Sequence, residues 1–252
     1  AACMSNIGNI RENNEDNFYF DNQILEKENT GLEIPIMKEL IGNNICFAVF
    51  DGMGGHANGQ LASYLAASVF QKECKEVNNL TELSDTFFYD AVNHMNRVVY
   101  ENAKQLHNNM GTTCVVLGFS EDMVYICNVG DSRAYRFREG RLAQVSMDHV
   151  ETIPPFMLQY RKPRLSQCIG LPPKEILLEP YLAEGIMKKG DIFLLCSDGL
   201  TDMVSNEEIA EILSRETDKN ECVQKLLDKA LENGGKDNIT MIIIQVMEMR
   251  EE

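Results

Sequence analysis

Apolar and polar positions change period along the chain, and each change predicts an element. Ile45-Cys46-Phe47-Ala48-Val49-Phe50 is an unbroken apolar run that stops at Asp51 and gives way to Gly52-Met53-Gly54-Gly55-His56. A short continuous run bounded by turn residues predicts a strand buried on both faces, with Asp51 where it emerges. From about 57 to 77 and from 83 to 106 the apolar positions recur at helical spacing. Leu61, Leu65 and Val69 in the first stretch, and Val92, Val99 and Leu106 in the second, face inward on two long helices. Between 112 and 145 the period shortens. Runs at 113–117, 123–129, 134–137 and 142–145, separated by Gly, Asp and Glu, predict an antiparallel meander. Residues 150–164 are irregular and punctuated by proline. Beyond them lie a strand at 191–196, a helix opened by the capping box Ser205-x-x-Glu208, a helix over about 221–232 and a closing strand at 237–246. Near the start, Asn17-Phe18-Tyr19-Phe20 predicts a short strand entered from the acidic, asparagine-rich turn 11–16. Ala1-Ala2-Cys3 reads either as the start of a strand or as an appended leader.

The order is strands, helices, strands, helices, strand, without βαβ alternation. This favours an α+β fold with helices packed on antiparallel sheets over a doubly wound one. A length of 252 residues suits one large domain, and no linker, repeat or low-complexity tract divides it. The formal charge of −16 argues against nucleic acid and anionic membranes as partners, since both demand a basic face. Apolar segments fall far short of the ~20 residues that span a bilayer, and the N-terminus does not resemble a signal peptide. The eight cysteines include no C-x-x-C pair, and Cys46, Cys114, Cys127 and Cys196 lie within apolar runs. Reduced thiols and a cytoplasmic location are the expectation.

The candidate chemistry follows from where the acids fall. Asp51, Asp131 and Asp198 each follow an apolar strand, and Asp237 precedes one. Singly, each is an ordinary turn residue. Together on one rim of a sandwich they would repel unless cations lay between them, and oxygen-only donors select magnesium, manganese or calcium. Two other signatures compete. Gly52 to Ala57 satisfies the dinucleotide pattern G-x-G-x-x-A, but Asp51 precedes the first glycine and no second parallel strand ending in an acid follows. Cys127-Asn128-Val129-Gly130-Asp131-Ser132-Arg133 satisfies the C-x-x-G-x-x-R pattern of cysteine-dependent phosphatases. There, however, the cysteine sits in an apolar strand and Asp131 would put negative charge in the phosphate cradle.

In type and order, Arg11-Glu12-Asn13-Asn14-Glu15-Asp16-Asn17, Val49 to His56, Gly111-Thr112-Thr113, Asn128 to Tyr135, Ser197-Asp198-Gly199-Leu200 and Asp237-Asn238-Ile239-Thr240 resemble the motifs of the protein phosphatase 2C family of metal-dependent serine/threonine phosphatases, the bacterial branch above all. The resemblance implies a four-layer α-β-β-α sandwich of two antiparallel β-sheets flanked by helix pairs. It implies hydrolysis of phosphoserine and phosphothreonine in proteins by direct attack of a metal-bridging water or hydroxide. Two Mn2+ or Mg2+ ions serve each active site in such enzymes, and bacterial relatives hold a third. Asp51 matches the carboxylate that bridges two metals, with the Gly52 carbonyl as a further ligand and Asp198 and Asp237 completing the second metal. Glu15 and Asp16 match acids that hold metal-bound waters, Asp131 the acid that shares the third metal with Asp198, and Arg11 the phosphate-binding arginine. By the same resemblance the partners are phosphorylated proteins, with a cognate serine/threonine kinase and its targets, and the chain acts as a monomer.

Two departures stand out. Met53 occupies the place of a histidine that protonates the leaving group in many eukaryotic relatives, and His56 is the nearest alternative. The segment 148–170, flap-like in bacterial relatives, is short here and carries Arg161, Lys162 and Arg164, read as a solvated basic loop beside a substrate-docking alternative. A catalytically silent homologue that only binds phosphoproteins is a further class, disfavoured because every core carboxylate is present.

Overall fold

The computed structural model describes residues 1–54, 58–80, 83–158 and 160–247. In chain order the strands β1 (Ala2–Asn6), β2 (Asp16–Phe20), β3 (Ile36–Met37) and β4 (Ile45–Met53) lead into helices α1 (Asn58–Leu80) and α2 (Asp85–Gln105). Then come β5 (Gly111–Thr112), β6 (Cys114–Ser120), β7 (Met123–Val129), β8 (Arg133–Arg138) and β9 (Arg141–Gln144), with a 3-10 turn at Pro155–Met157. The chain continues through β10 (Tyr181–Ile186), β11 (Ile192–Cys196), the short helix α3 (Asp198–Thr201), α4 (Asn206–Arg215), α5 (Lys219–Glu232) and β12 (Ile239–Gln245).

The strands form two sheets, ordered β3-β1-β12-β11-β8-β9 and β10-β7-β6-β4-β2, with β5 added to the end of β4. Period-two alternation explains why their inner strands are apolar throughout. In β4, Ala48 and Phe50 face α1 and α2, whereas Phe47 and Val49 face the other sheet. Likewise Leu194 of β11 and Met241 and Ile243 of β12 pack under α4 and α5, while Phe193, Leu195, Ile242 and Ile244 fill the space between the sheets. Both faces of each central strand are therefore dry, which gives the unbroken runs read in the sequence. The outcome is the α-β-β-α layering expected. Local signals start two helices: the Phe87 N–H donates to Ser84 Oγ at 3.3 Å, and Ser205 and Glu208 exchange the reciprocal bonds of a capping box.

Two expectations need correction and one open alternative is decided. The stretch 112–145 is not one meander: β6 and β7 pair as a hairpin in one sheet, but β8 pairs with β11 and β9 in the other. Gly130-Asp131-Ser132 is therefore a crossover between sheets rather than a hairpin turn, and Gly130 turns it with φ +102°. Asp51 does not end its strand, because β4 runs on through Met53, where Gly52 and Met53 pair with β5. Of the two readings of the first residues the strand holds: Ala2 and Cys3 open β1, which lies between β3 and β12, and both are fully buried. The strands β3 and β10 carried no clear sequence signal. The first is two residues long, and β10 is half-exposed and interrupted by Gly185.

Candidate active site

At one end of the sandwich the two sheets open into a cleft of about 930 Å3, lined among others by Arg11, Glu15, Asp51, Gly52, Met53, Thr113, Asp131, Lys162, Asp198 and Asp237. One sheet supplies Asp51. Its backbone is fixed on the β5 side: the Asp51 N–H donates to Thr113 Oγ1 at 3.0 Å, and its carbonyl accepts from the Thr113 N–H at 2.9 Å and the Thr112 hydroxyl at 2.9 Å. Gly52 follows at a place with no room for a side chain. A Cβ there would lie 2.2 Å from the Gly59 carbonyl oxygen and 2.5 Å from that of Glu15. The missing side chain lets α1 and the Glu15 loop close on the strand, and the Gly52 N–H donates to the Glu15 carbonyl at 3.1 Å.

The other sheet supplies Asp198, first residue of α3 beyond β11, and Asp237, just before β12. Gly199 makes that junction possible, because a Cβ on it would meet the Asn238 carbonyl oxygen at 1.9 Å. The Asn238 side chain organises this corner. It accepts from the Glu15 N–H at 2.7 Å and donates to the carbonyls of Ile7 and Asn13, both at 2.9 Å. These bonds moor the loop that carries Arg11 and Glu15 to the end of β12. Asn238 and the Thr112-Thr113 hydroxyls are site-building residues that sequence reasoning missed. The available signal was their position, directly flanking a strand-end acid.

Asp16 is brought near but not into the cleft. It pairs in register with Asp51 across β2 and β4, is almost fully buried, and accepts from Ser197 Oγ at 2.7 Å. The structure thus sets it behind the cleft lining, unlike Glu15, which lines it. Asp131 reaches the cleft from the crossover. Behind it Arg133 forks onto Asp148, with Nη2 to Oδ2 at 2.6 Å, and the Gly130 N–H donates to His149 Nδ1 at 3.2 Å.

Two cations face these acids. Arg11 Nη2 donates to Asp237 Oδ2 at 2.6 Å, and this bond raises the arginine further above its usual range. Lys162 Nζ donates to Asp198 Oδ2 at 2.8 Å and pairs with Asp202. Burial alone would lower the Lys162 ammonium, but the charges of and bonds to Asp198 and Asp202 raise it. The basic loop is therefore not simply solvated: Lys162 turns into the cleft, whereas Arg161 pairs with Glu151 of its own segment.

Negative charge at this end is only partly matched. Burial, then the charges of Asp16, Asp198, Asp237 and Asp131, push the Asp51 carboxyl well above the carboxylate range. Burial and the neighbouring acids Asp237 and Asp198 push Asp16 up to about 7 despite bonds from Ser197 and Thr240, and burial with Asp198 pushes Asp131 up to about 6. Among the described residues no three His, Cys, Asp or Glu side chains are gathered as ligands of one ion in this conformation. Asp237 and Asp198 are turned instead to Arg11 and Lys162. The donor set itself, all oxygen and strongly anionic, fits hard divalent cations.

Competing signatures fare poorly. Cys127 is fully buried in β7 and its thiol is pushed up by burial, the opposite of an activated nucleophile. The neighbours of β4 in its sheet are antiparallel, so the glycine-rich stretch does not open a βαβ unit. Met53 lines the cleft, and Gly55, His56 and Ala57 lie outside the described residues.

The chain is similar to known proteins in sequence and in fold. A family model described as Protein phosphatase 2C matches residues 37–233. The serine/threonine phosphatase stp of Listeria monocytogenes is 32% identical over 259 aligned residues, covering 97% of this chain and 95% of that protein. Among solved structures, the serine/threonine phosphatase PstP of Mycobacterium tuberculosis superposes with a TM-score of 0.78 at 27% identity, covering 98% of this chain and 99% of that one. The catalytic domain of PstP in complex with two manganese ions gives 0.77, also at 27% identity, and covers 98% of each chain. A cleft of acids between two sheets, sequence motifs in matching order and likeness over nearly the whole length lead to one statement: this chain belongs to the protein phosphatase 2C family.

Proposed function

We propose that this chain is a metal-dependent protein serine/threonine phosphatase that uses the cleft between its sheets, with residues 1–252 acting as one catalytic domain. The observation that carries the reading is the convergence of Asp51, Asp131, Asp198 and Asp237 on one cleft that also holds an arginine. Asp51 would bridge two Mn2+ or Mg2+ ions, with the Gly52 carbonyl beside it and Asp198 and Asp237 on the second. Asp131 would share a third with Asp198. Such ions, when bound, supply an activated water and offset the charge that builds on phosphorus during in-line displacement. Arg11 orients the substrate: its planar fork suits two phosphate oxygens, and it stands at the cleft edge on a loop that Asn238 holds. Glu15 lies where it can accept hydrogen bonds from ordered water. Asp16, held by Ser197 behind the cleft, acts on Asp51 through charge rather than by contact with substrate. Met53 has no proton to give, so the leaving serine or threonine takes its proton from water in this reading.

Phosphorylated proteins are the substrates, with a serine/threonine kinase as the opposing activity in a signalling pair, and the chain works as a monomer in the cytoplasm. Among the described residues no helix is long and apolar enough to cross a membrane. Hydrolysis of a phosphothreonine peptide tests the reading in three arms: added Mn2+, excess chelator, and Mn2+ after thiol alkylation. Turnover that needs Mn2+ and survives alkylation is expected. Metal-independent turnover abolished by alkylation, or Mn2+ binding without turnover, would overturn it.

A further inference from the structure

The segment after the crossover carries three cations, and their partners differ. Arg161 and the Arg164 N–H, at 2.8 Å, both bond to Glu151, so these two close the segment on itself. Its base is pinned by the bridges of Val150 to Leu165 and Ile169 to Thr112, and by the His149 N–H donating to the Gly130 carbonyl at 2.9 Å. Lys162 alone among the three reaches across to another part of the fold. Asp198 opens α3 and Asp202 closes it, one turn apart, and the ammonium sits between the two carboxylates. That turn is fixed by the Asp202 N–H donating to the Asp198 carbonyl at 2.8 Å.

We propose that Lys162 is a tethered competitor for the cations that Asp198 would hold, so that its ion pair and a divalent ion on Asp198 exclude one another. The inference rests on the reading of Asp198 as a metal ligand. Lys162 Nζ sits on Asp198 Oδ2 at 2.8 Å and puts a positive charge where such an ion would stand. An ammonium is a compact, strongly hydrated point charge, and this one is more than half exposed, so a divalent ion can displace it at modest concentration. Among the described residues of the segment Asp51 has no such partner, which leaves the position served by Asp51 and the Gly52 carbonyl without Asp198 free of this competition. Displacement has a second effect. Once Lys162 lets go, the segment keeps its internal Glu151 bonds and its pinned base but loses its tie to α3, and the cleft opens on that side. Metal occupancy and the position of the segment are thereby coupled.

Calorimetric titration of Mn2+ into chelator-stripped protein, with hydrogen exchange over 160–166, tests this in the wild type, Lys162→Met and Lys162→Arg. Wild-type protein should show a tight and a weak class of site. Lys162→Met should tighten the weak class by roughly threefold to tenfold and leave the tight class unmoved, whereas Lys162→Arg, which keeps the competing charge, should leave the weak class at least as weak as in the wild type. Mn2+ should speed exchange over 160–166 in the wild type, and in Lys162→Met that exchange should be fast without it. A weak class of equal affinity in wild type and Lys162→Met, with the tight class intact, would overturn the competition. Absence of any Mn2+ binding by the wild type would overturn the metal-centre reading as well.

Discussion

Strand β11 has an acid at each end, and the two ends handle negative charge in opposite ways. At its start Asp191 is 1% exposed, which alone would push its carboxyl up. The Arg138 fork, at 2.6 Å from Nε and 2.5 Å from Nη2, and the Lys188 N–H, at 2.8 Å, reverse that and hold it below the usual range. At the far end Asp198 joins Asp16, Asp51, Asp131 and Asp237, and there the shifts of Asp51, Asp16 and Asp131 are upward. Both ends bury acids. Only one supplies its own full set of counter-charges, and that end is structural. The end that leaves negative charge in excess is the one to which the proposed function assigns cations from solution.

The contrast yields three expectations, from the largest effect down. Asp51→Asn should weaken Mn2+ binding by at least about a hundredfold and abolish phosphopeptide hydrolysis, while the melting temperature of chelator-stripped protein stays level or rises because repulsion is relieved. Calorimetry and thermal melts read the two separately, and a large fall in melting temperature would show that this end too is structural. Asn238→Ala should cost about 2–3 kcal/mol by urea unfolding, since it strands the Glu15 N–H and the Ile7 and Asn13 carbonyls. Because it unmoors the Arg11 loop, KM should rise more than kcat falls.

Asp191→Asn should cost about 1–2 kcal/mol at neutral pH without touching metal affinity. Its pH dependence is the sign of the difference. The folded-state value of Asp191 is depressed, so its stabilisation is present above the unfolded value near pH 4 and disappears as pH falls through the folded one. Asp16 and Asp131 are raised, to about 7 and about 6, so their folded forms prefer the proton. In chelator-stripped protein their contribution is complete below about pH 4 and is lost as pH rises towards 7. Urea unfolding from pH 3 to 8 should therefore show an acid-side loss that Asp191→Asn reduces and a neutral-side loss that Mn2+ reduces. An acid-side loss undiminished in Asp191→Asn would contradict the first assignment.

Much of the fold could be read from residues alone because its strongest signals are local. The apolar runs of β4, β11 and β12 and the helical spacing of α1 and α2 reflect burial, which periodicity reports directly. The acids of the cleft were visible for the same reason, each lying beside a buried strand. What escaped depends on pairing between distant segments. Three residues between β7 and β8 suit a hairpin, and nothing in them says that β8 belongs to the other sheet. Lys162 looks like one of three loop cations, and only the position of Asp198, 36 residues onward, singles it out. Asn238 likewise looks like a turn asparagine until the loop 7–15 is folded against it.

The division of the acids between the sheets has a mechanical consequence. Asp51 rides on the sheet of β2, β4 and β6, and Asp198 and Asp237 on that of β11 and β12, joined by the packing of Phe47, Val49, Phe193 and Ile242 rather than by a shared strand. An ion held jointly by Asp51 and Asp237 would act as a removable staple across that seam, closing a long loop of the chain and restraining the sheets from sliding. Loading the cleft would then arm the chemistry and lock the sandwich in one event.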